Sequence, residues 1–471
     1  MEDIKILSEL FKSRFGVEPS VVNPLASAGG DRRYFRLVVP ERELSVIGTA
    51  GDCAADCRSF IALDSVFLSQ GVPVPEIYAV SDAGMHYLQQ DLGDVSLFSL
   101  LGKEEECRPA VRLVLKNLVR MQLVPQELWE RSTGYSPFCR RQVLWDLNYF
   151  KYEFLKPSGV QFDEELLEDD FDRMAEDLVG VDSSFQGFMM RDCQSRNVMM
   201  CGGRPYFIDF QGGRTGPSVY DAVSFLWQAK AGFSDGFRME MFQYYAEEYA
   251  ARAGCDSSIM MNSLPLFVFF RTLQVLGAYG FRGLVQRRSH FLESISPALR
   301  NLASAVDAEA VSRYPELRRV CRELAADTRF DPPSKDSGLT VTVFSFSYKL
   351  GYPEDYSGNG GGFMFDCRGM HNPGRYEQYK ALTGLDAPVM EFLQKRGEAD
   401  KFVAKSMEMV APSVECYLRR GFNSLQIGFG CTGGRHRSVY CAEAVAGEIK
   451  RKYPDAMVVV VHREQGIRKE L

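Results

Sequence analysis

A chain of 471 residues, 45% hydrophobic and 25% charged, exceeds what one hydrophobic core organises and fits two or three domains. Its formal net charge of −7 and pI near 5.5 exclude a protein that coats nucleic acid through its global field and leave only a local basic face for that role. Twelve cysteines without paired C-x-x-C spacing, behind an acidic N-terminus with no apolar signal region, point to reduced, mostly buried thiols in the cytoplasm.

Residues 4–15 carry apolar side chains at helical spacing and stop at Gly16, which predicts a short opening helix. Strands are expected at 20–25, 34–39 and 44–49. The first two are joined by SAGGDRR, residues 27–33; glycine lets backbone approach a phosphate and the arginines supply charge, although any hairpin can use a GGD turn. A helix over about 54–70 follows, with Cys53 and Cys57 at its start and no second pair to complete a zinc site. Pro73 and Pro75 lead into another strand, and HYLQQD, residues 86–91, reads as a strand entering a Leu-Gly-Asp hinge. From 100 to 171 the pattern is mainly helical, with Trp145, Leu147, Tyr149 and Phe150 expected in the core.

Residues 187–211, GFMMRDCQSRNVMMCGGRPYFIDFQ, interrupt those helices with an expected hairpin. It presents Asp192, then Asn197 in the same loop, then a turn and an apolar run containing Asp209. Phosphoryl transfer to an alcohol needs such a set: one carboxylate accepts the hydroxyl proton, while an amide and a second carboxylate hold the magnesium that bridges the ATP phosphates. Helices resume over about 219–324, where Asp221, after GPSVY, is expected to cap or brace the loop. The most apolar run, 264–277, is broken by Arg271 and reads as too short to span a bilayer, so no membrane is expected.

Residues 325–338, polar and containing a Pro-Pro pair, mark a linker. Beyond it, strands at 339–346, 362–367, 425–429 and 457–461 are separated by helices at 400–420 and 439–452, which implies a mainly parallel sheet whose strand ends share one crevice. The expected architecture is thus α/β and multidomain: a bilobal, protein-kinase-like fold over 1–324 (N-lobe about 1–91, helical C-lobe about 95–324) and a smaller α/β domain over 339–471.

GCTGGRHRS, residues 430–438, opens a helix after a strand and makes an anion cradle of exposed backbone amides, with Arg437 able to fork onto a phosphate. Cys431, Thr432, Gly433, Gly434, His436, Arg437 and Ser438 are its candidates, joined from other strand ends by Arg368, His371 and His462. The spacing C-x-x-x-x-x-R-S also fits a cysteine-dependent phosphatase, with a Cys431 thiolate as nucleophile and Asp366 as the available general acid.

GGDRRYFRL (29–37), VPVPEIY (72–78), QDLGD (90–94), RDCQSRNVM (191–199), IDFQGGRTGPSVYD (208–221) and RTLQVLGAYG (271–280) resemble the aminoglycoside phosphotransferase-like kinases, most closely those that phosphorylate the anomeric hydroxyl of N-acetylmuramate or N-acetylglucosamine. The resemblance implies ATP and Mg2+ as cofactors, with Asp192 as catalytic base and Asn197 and Asp209 as metal ligands. Gly29, Gly30, Asp31, Arg32 and Arg33 would lie over the nucleotide phosphates, and Gln90, Asp91 and Leu92 would touch adenine. Three departures stand out: Met190 where such kinases carry histidine, no lysine in 44–49, and Asp56 but no glutamate on the following helix. Arg32 or Arg33 would then replace the lysine as phosphate clamp.

GCTGGRHRS, NPGRYEQYKALTGLDAPV (372–389) and VHRE (461–464) resemble the C-terminal domain of RapZ, a bacterial RNase adapter. This implies binding of a phosphorylated amino sugar such as glucosamine-6-phosphate at Thr432, Gly433, His436 and Arg437, and assembly into a homo-oligomer. RNA binding is less favoured, because a kinase-like domain stands where RapZ has its own nucleotide-binding domain. The expected function is an amino-sugar kinase with a sugar-phosphate-binding domain, the alternative a RapZ-type regulatory adapter without turnover.

Overall fold

The computed structural model describes residues 2–25, 32–181, 183–331, 338–353, 355 and 362–471. The chain divides into two compact units, residues 1–281 with 297–326, and residues 282–296 with 327–471. Residues 282–296 lie within the helical run expected for the first domain, yet group with the second unit.

In the first unit, β1 (Val21–Leu25), β2 (Arg33–Val39), β3 (Leu44–Ala50), β4 (Ile77–Val80) and β5 (His86–Gln90) form an antiparallel sheet in the order β1-β2-β3-β5-β4. Strand alternation decides its faces. Phe35, Leu37, Val39, Val46 and Leu88 pack on Leu7 and Phe11 of α1 (Glu2–Phe15). Tyr34, Thr49 and Tyr87, in register across β2, β3 and β5, belong to the opposite face. There α2 (Ala54–Ser69) brings Phe60 onto Tyr87, with centroids 5.6 Å apart, and onto Phe210 at 4.7 Å.

The expected single hairpin over 187–211 is two nested ribbons. β7 (Val198–Cys201) pairs with β8 (Arg204–Phe207) through Gly202 and Gly203, which take φ of 56° and 75°, as a tight turn between right-twisted strands requires. β6 (Gln186–Met189), the run before Asp192, finds its partner only beyond Asp209, in β9 (Arg214–Pro217). The nesting brings the Asp192 loop and the Asp209 turn together at the same end.

On the helix Arg140–Phe150, Leu147 and Phe150 are buried, but Trp145 is 65% exposed, contrary to the expected core position. Asp146, about 100° further round the helix, takes the inward place beside Val143. The apolar run around Arg271 belongs to the longer helix Ser257–Tyr279; with the turn that follows, Ser257–Val285 is long and apolar enough by length and composition to cross a membrane, which corrects the expectation of too short a segment. Of its most apolar window, 61% is buried inside the protein.

In the second unit, β10 (Thr340–Ser347), β11 (Gly362–Asp366), β12 (Ser424–Cys431) and β13 (Met457–His462) are parallel and β14 (Ile467–Glu470) is antiparallel, in the order β11-β12-β10-β13-β14. Val410, Val414, Val445 and Ile449 of the helices Glu398–Arg420 and Arg437–Lys452 share a core with Val341, Ile427 and Val460 of the sheet. Register aligns Ser347 with Cys431 and Asp366 with Gly430, so these strand ends meet at one edge.

Gly277 lets the two helices that carry Arg271 and Asp146 meet, since a Cβ there would lie 2.8 Å from Phe150 N and 3.0 Å from its Cα. Alanine in a helix normally stabilises by about 0.5–1 kcal/mol over glycine, but overpacking against backbone costs about 1–3 kcal/mol. Gly277→Ala is therefore expected to destabilise, measured as a lower urea midpoint at unchanged slope.

Candidate functional site

The chain leaves β6 through Met190, Arg191 and Asp192, with Arg191 at φ 74°, a left-handed conformation unfavourable for a side chain of this size. Asp221, wholly buried in the helix Ser218–Leu226, holds the turn by accepting hydrogen bonds from Met190 N at 2.6 Å and Arg191 N at 2.8 Å. Burial pushes its carboxyl up to about 7 against the pull of those two donors. Asp221 thus braces the loop. Buried Met190 fills the position before Arg191, and its backbone N–H makes one of the two bonds.

Asp192 is exposed at the end of this turn. Asn197 Nδ2 donates to Asp192 O at 2.9 Å and lies 3.4 Å from Asp209 Oδ2. Asp209 is itself left-handed, at φ 64°, and its Oδ1 accepts from Gln211 Nε2 at 2.7 Å. Two strained non-glycine residues flank one opening, where strain is retained only if surrounding bonds enforce it. The Asn197 amide and Asp209 carboxylate form a small, hard oxygen set that fits magnesium, which takes one or two protein ligands and completes its shell with phosphate and water oxygens.

At the phosphate end, Gly29, Gly30 and Asp31 lie outside the described residues. The two arginines after them part company. Arg33 pairs with Asp3 of α1 at 2.5 Å, with its side chain 62% exposed, and Asp3 also binds His86 at 3.0 Å. Arg32 is only 8% exposed, and its Nη2 is buried with no partner. Burial pulls its guanidinium down while Tyr87, Tyr34 and Asp209 raise it, with a net upward shift. Arg32 therefore sits beside the two tyrosines that flank Thr49, over the stretch of β3 that has no lysine, and feels the metal-site carboxylate.

The hinge side chains are occupied. Asp91 accepts from Arg36 Nε at 2.8 Å, Ser45 Oγ at 2.5 Å and Gly93 N at 3.0 Å, and Gln90 Oε1 lies 3.4 Å from Glu76 N. Gln90 and Asp91 thus fix the hinge with their side chains, and Gln90 N is itself bonded to Glu76 O at 2.8 Å.

Three residues of this region escaped sequence reasoning. Arg191 Nη2 bonds both Asp146 oxygens, at 2.7 and 2.9 Å. Arg214, at the start of β9, lies over the Tyr135 ring at 4.7 Å, and Arg271 donates from Nε to Ser224 Oγ at 3.1 Å. Burial pushes the Asp146 carboxyl up, while Arg191, Arg271 and Arg214 all pull it down. The arginines stood in the quoted motifs, but no periodicity links positions 80 residues apart around one carboxylate.

The second unit departs from several expectations. Arg437 does not fork into the loop: its Nη1 donates to Arg368 O at 3.0 Å and Met370 O at 2.9 Å, and its buried Nε has no partner. His462 is wholly buried between Ser345 Oγ at 2.8 Å and Glu443 Oε1 at 2.7 Å, so both ring nitrogens are engaged away from any ligand. His436 Nε2 is tied to Tyr379 O at 2.9 Å, and His371 is exposed with its backbone N bonded to Glu398. Arg368 grips Asp366 at 3.0 and 2.7 Å, which holds that carboxyl below its usual range. An acid held ionised cannot donate a proton, so Asp366 does not suit the phosphatase reading.

Cys431 and Ser438 do meet, Sγ to Oγ at 3.1 Å, and Ser347 Oγ donates to Thr432 O at 2.8 Å. Gly433 is exposed; Gly434, at φ 64°, abuts Glu464, whose Oε2 is buried without a partner and lies 2.3 Å from where a Cβ on Gly434 would sit.

Residues 21–255 match the family described as "Phosphotransferase enzyme family" and residues 339–466 the "RapZ C-terminal domain". A "Nucleotide-binding protein" of Geobacillus thermodenitrificans is 40% identical over 134 residues, 28% of this chain and 42% of that protein. One from Thermotoga neapolitana is 38% identical over 131 residues, 28% of this chain and 44% of that protein. The chain therefore spans less than half the length of these relatives. Among solved structures, a putative aminoglycoside phosphotransferase from Ralstonia eutropha covers 69% of this chain and 98% of its own at TM-score 0.47 and 15% identity. A choline kinase from Cryptosporidium parvum covers 68% of this chain and 98% of its own at 0.45 and 13%.

Because the fold raises the Asp221 pKa from 3.8 to about 7, it favours the protonated form. The associated stability is complete below pH 3.8 and is lost as pH rises to about 7. Asp221→Asn removes that dependence. Wild type should lose stability relative to the variant between pH 4 and 7 and run parallel above it, read from urea unfolding of both proteins.

Proposed function

The chain joins a domain of the phosphotransferase enzyme family to a RapZ C-terminal domain, and from that premise we propose that it phosphorylates a hydroxyl of an amino sugar of the N-acetylmuramate and N-acetylglucosamine class. The observation that carries this reading is the convergence of Asp192, Asn197 and Asp209 at one opening, opposite a buried guanidinium, Arg32, that has an unpartnered Nη2.

Asp192 orients the acceptor hydroxyl and takes its proton as the phosphorus–oxygen bond forms. Asn197 and Asp209 would hold Mg2+, which would neutralise charge on the nucleotide phosphates. Arg32 forks onto the phosphates in place of a lysine; its charge is already desolvated and its position already set, so little ordering remains on binding. The hinge braced by Asp91 presents backbone groups to adenine. Asp221 keeps the Asp192 turn in its left-handed form and so fixes where the base stands.

In the second unit, the backbone at Thr432, Gly433 and Gly434 is offered to the phosphate of an amino-sugar phosphate, with Arg437 holding the 368–370 segment against the loop. That pairing of a phosphorylating site with a phosphate-binding site supports control of the first by a product-like ligand of the second.

With ATP, Mg2+ and N-acetylated hexosamines the protein should consume ATP in proportion to acceptor. Asp192→Asn should lower kcat by about 10²- to 10⁴-fold with a near-normal KM for ATP. Arg32→Ala should raise the KM for ATP by about 10-fold or more. An unchanged rate in the Asp192 variant would sink the base assignment, and an unchanged KM in the Arg32 variant would sink the clamp.

A further inference from the structure

Beside the Asp192 loop three arginines, Arg191, Arg214 and Arg271, act on one buried carboxylate, Asp146. Arg191 has the Asp146 carboxylate as a partner. Arg271 is only 5% exposed and bonds neutral groups, Ser224 and the Gln274 amide. Arg214 is 7% exposed and makes a single hydrogen bond among the described residues, a long one of 3.3 Å to Gly212 O, with its Nε buried and unpartnered. Burial and the nearby Arg191 pull the Arg214 guanidinium down more than Tyr135, Asp146 and Tyr220 raise it, and no hydrogen bond joins it to the Asp146 carboxylate, which Arg191 occupies. Tyr135 covers its face at 4.7 Å and anchors on Asp56 of α2 through its hydroxyl at 3.2 Å.

A buried guanidinium without a carboxylate is costly, and burial is tolerated when a partner arrives in the working state. The position specifies which partner. Arg214 follows the Asp209 turn by five residues and pairs across the ribbon with Met189, three residues before Asp192. Its backbone therefore lies beside the strand that leads into the Asp192 turn, and its guanidinium acts on the same Asp146 carboxylate that Arg191 holds. A polyamine acceptor would meet three guanidiniums there.

We infer that the hydroxyl acceptor carries an anionic group, a carboxylate or a phosphate monoester, and that Arg214 is the side chain that binds it. This rests on the phosphotransferase reading above and names the substrate class for the same site. The planar fork of Arg214 offers paired donors to two anionic oxygens, and the rigid Tyr135 stack fixes its plane. Arg191, held by Asp146, and Arg271, held by Ser224, keep the local field positive without themselves needing to move. The binding of a neutral hexosamine would leave Arg214 as unpaired as it is in the free protein.

The test uses the full chain with ATP and Mg2+ and three acceptors that share a free anomeric hydroxyl: N-acetylglucosamine, N-acetylmuramate and N-acetylglucosamine-6-phosphate. Wild type should favour at least one acidic sugar over the neutral one by about 10-fold or more in kcat/KM, and which of the two is favoured separates carboxylate from phosphate. Arg214→Gln should lose about 10- to 100-fold on that sugar, chiefly in KM, but less than about threefold on N-acetylglucosamine, with Arg214→Lys recovering part of the loss. A neutral or cationic sugar preferred by wild type, or equal losses on both sugar types in Arg214→Gln, overturns the inference. If the glutamine variant does not fold, the wild-type preference and the lysine variant decide. If no acceptor is phosphorylated, the transferase reading fails by itself; calorimetric binding of the same three sugars then decides, with anion-selective binding weakened in Arg214→Lys upholding the inference and indifferent binding overturning it.

Discussion

The catalytic half of this protein depends on two hydrogen bonds from the backbone of a strained turn to one buried carboxylate. Arg191 in a left-handed conformation stores roughly 1–3 kcal/mol of strain, and Asp221 offsets it by accepting from Met190 and Arg191 at 2.6 and 2.8 Å. The brace sets the left-handed turn, and the bond from Asn197 Nδ2 to Asp192 O fixes Asp192 beside Asn197 and Asp209. The brace works because the helix Ser218–Leu226 is buried along its length, so the carboxylate is satisfied by donors the fold supplies, the two N–H groups and the Gln122 side chain. Rigidity at Asp192 is thus created one residue behind it.

Around that turn the charges are arranged in two groups. On the sheet side, Arg32 lies beside Tyr34 and Tyr87 and feels Asp209. On the helical side, Arg191, Arg214 and Arg271 act on Asp146. Both groups bury guanidinium rather than ammonium, which suits sites that must hold a cation out of water while keeping donors aimed at planar or tetrahedral anions. β3 carries no lysine, and a buried guanidinium, Arg32, stands at the entrance of the neighbouring strand.

In the second unit the same economy of charge produces the opposite result. Arg437, His436 and His462, the residues most suggestive of ligand binding, are spent on carbonyls, Ser345 and Glu443, and they shape the cradle without lining it. What remains is backbone: the exposed Thr432 and Gly433 and the left-handed Gly434, beside the buried, unpartnered oxygen of Glu464.

Sequence by itself determined most strands and helices of both units and the parallel order of the second, and it put Asp192, Asn197 and Asp209 in one neighbourhood, because periodicity and short motif spacing are local properties that survive in one dimension. It also identified Asp221 as a brace. It misplaced Trp145, since a one-residue error on a helix is 100° and moves a side chain from solvent to core; Asp146 occupies the inward position. It left Arg32 and Arg33 indistinguishable, and only the fold sends one to Asp3 and the other under the sheet. It assigned His462 and Arg437 to a ligand because their residue types invite it. Which polar side chains are free and which are already bonded is decided by neighbours far away in the chain, and those exist only once the tertiary structure has formed.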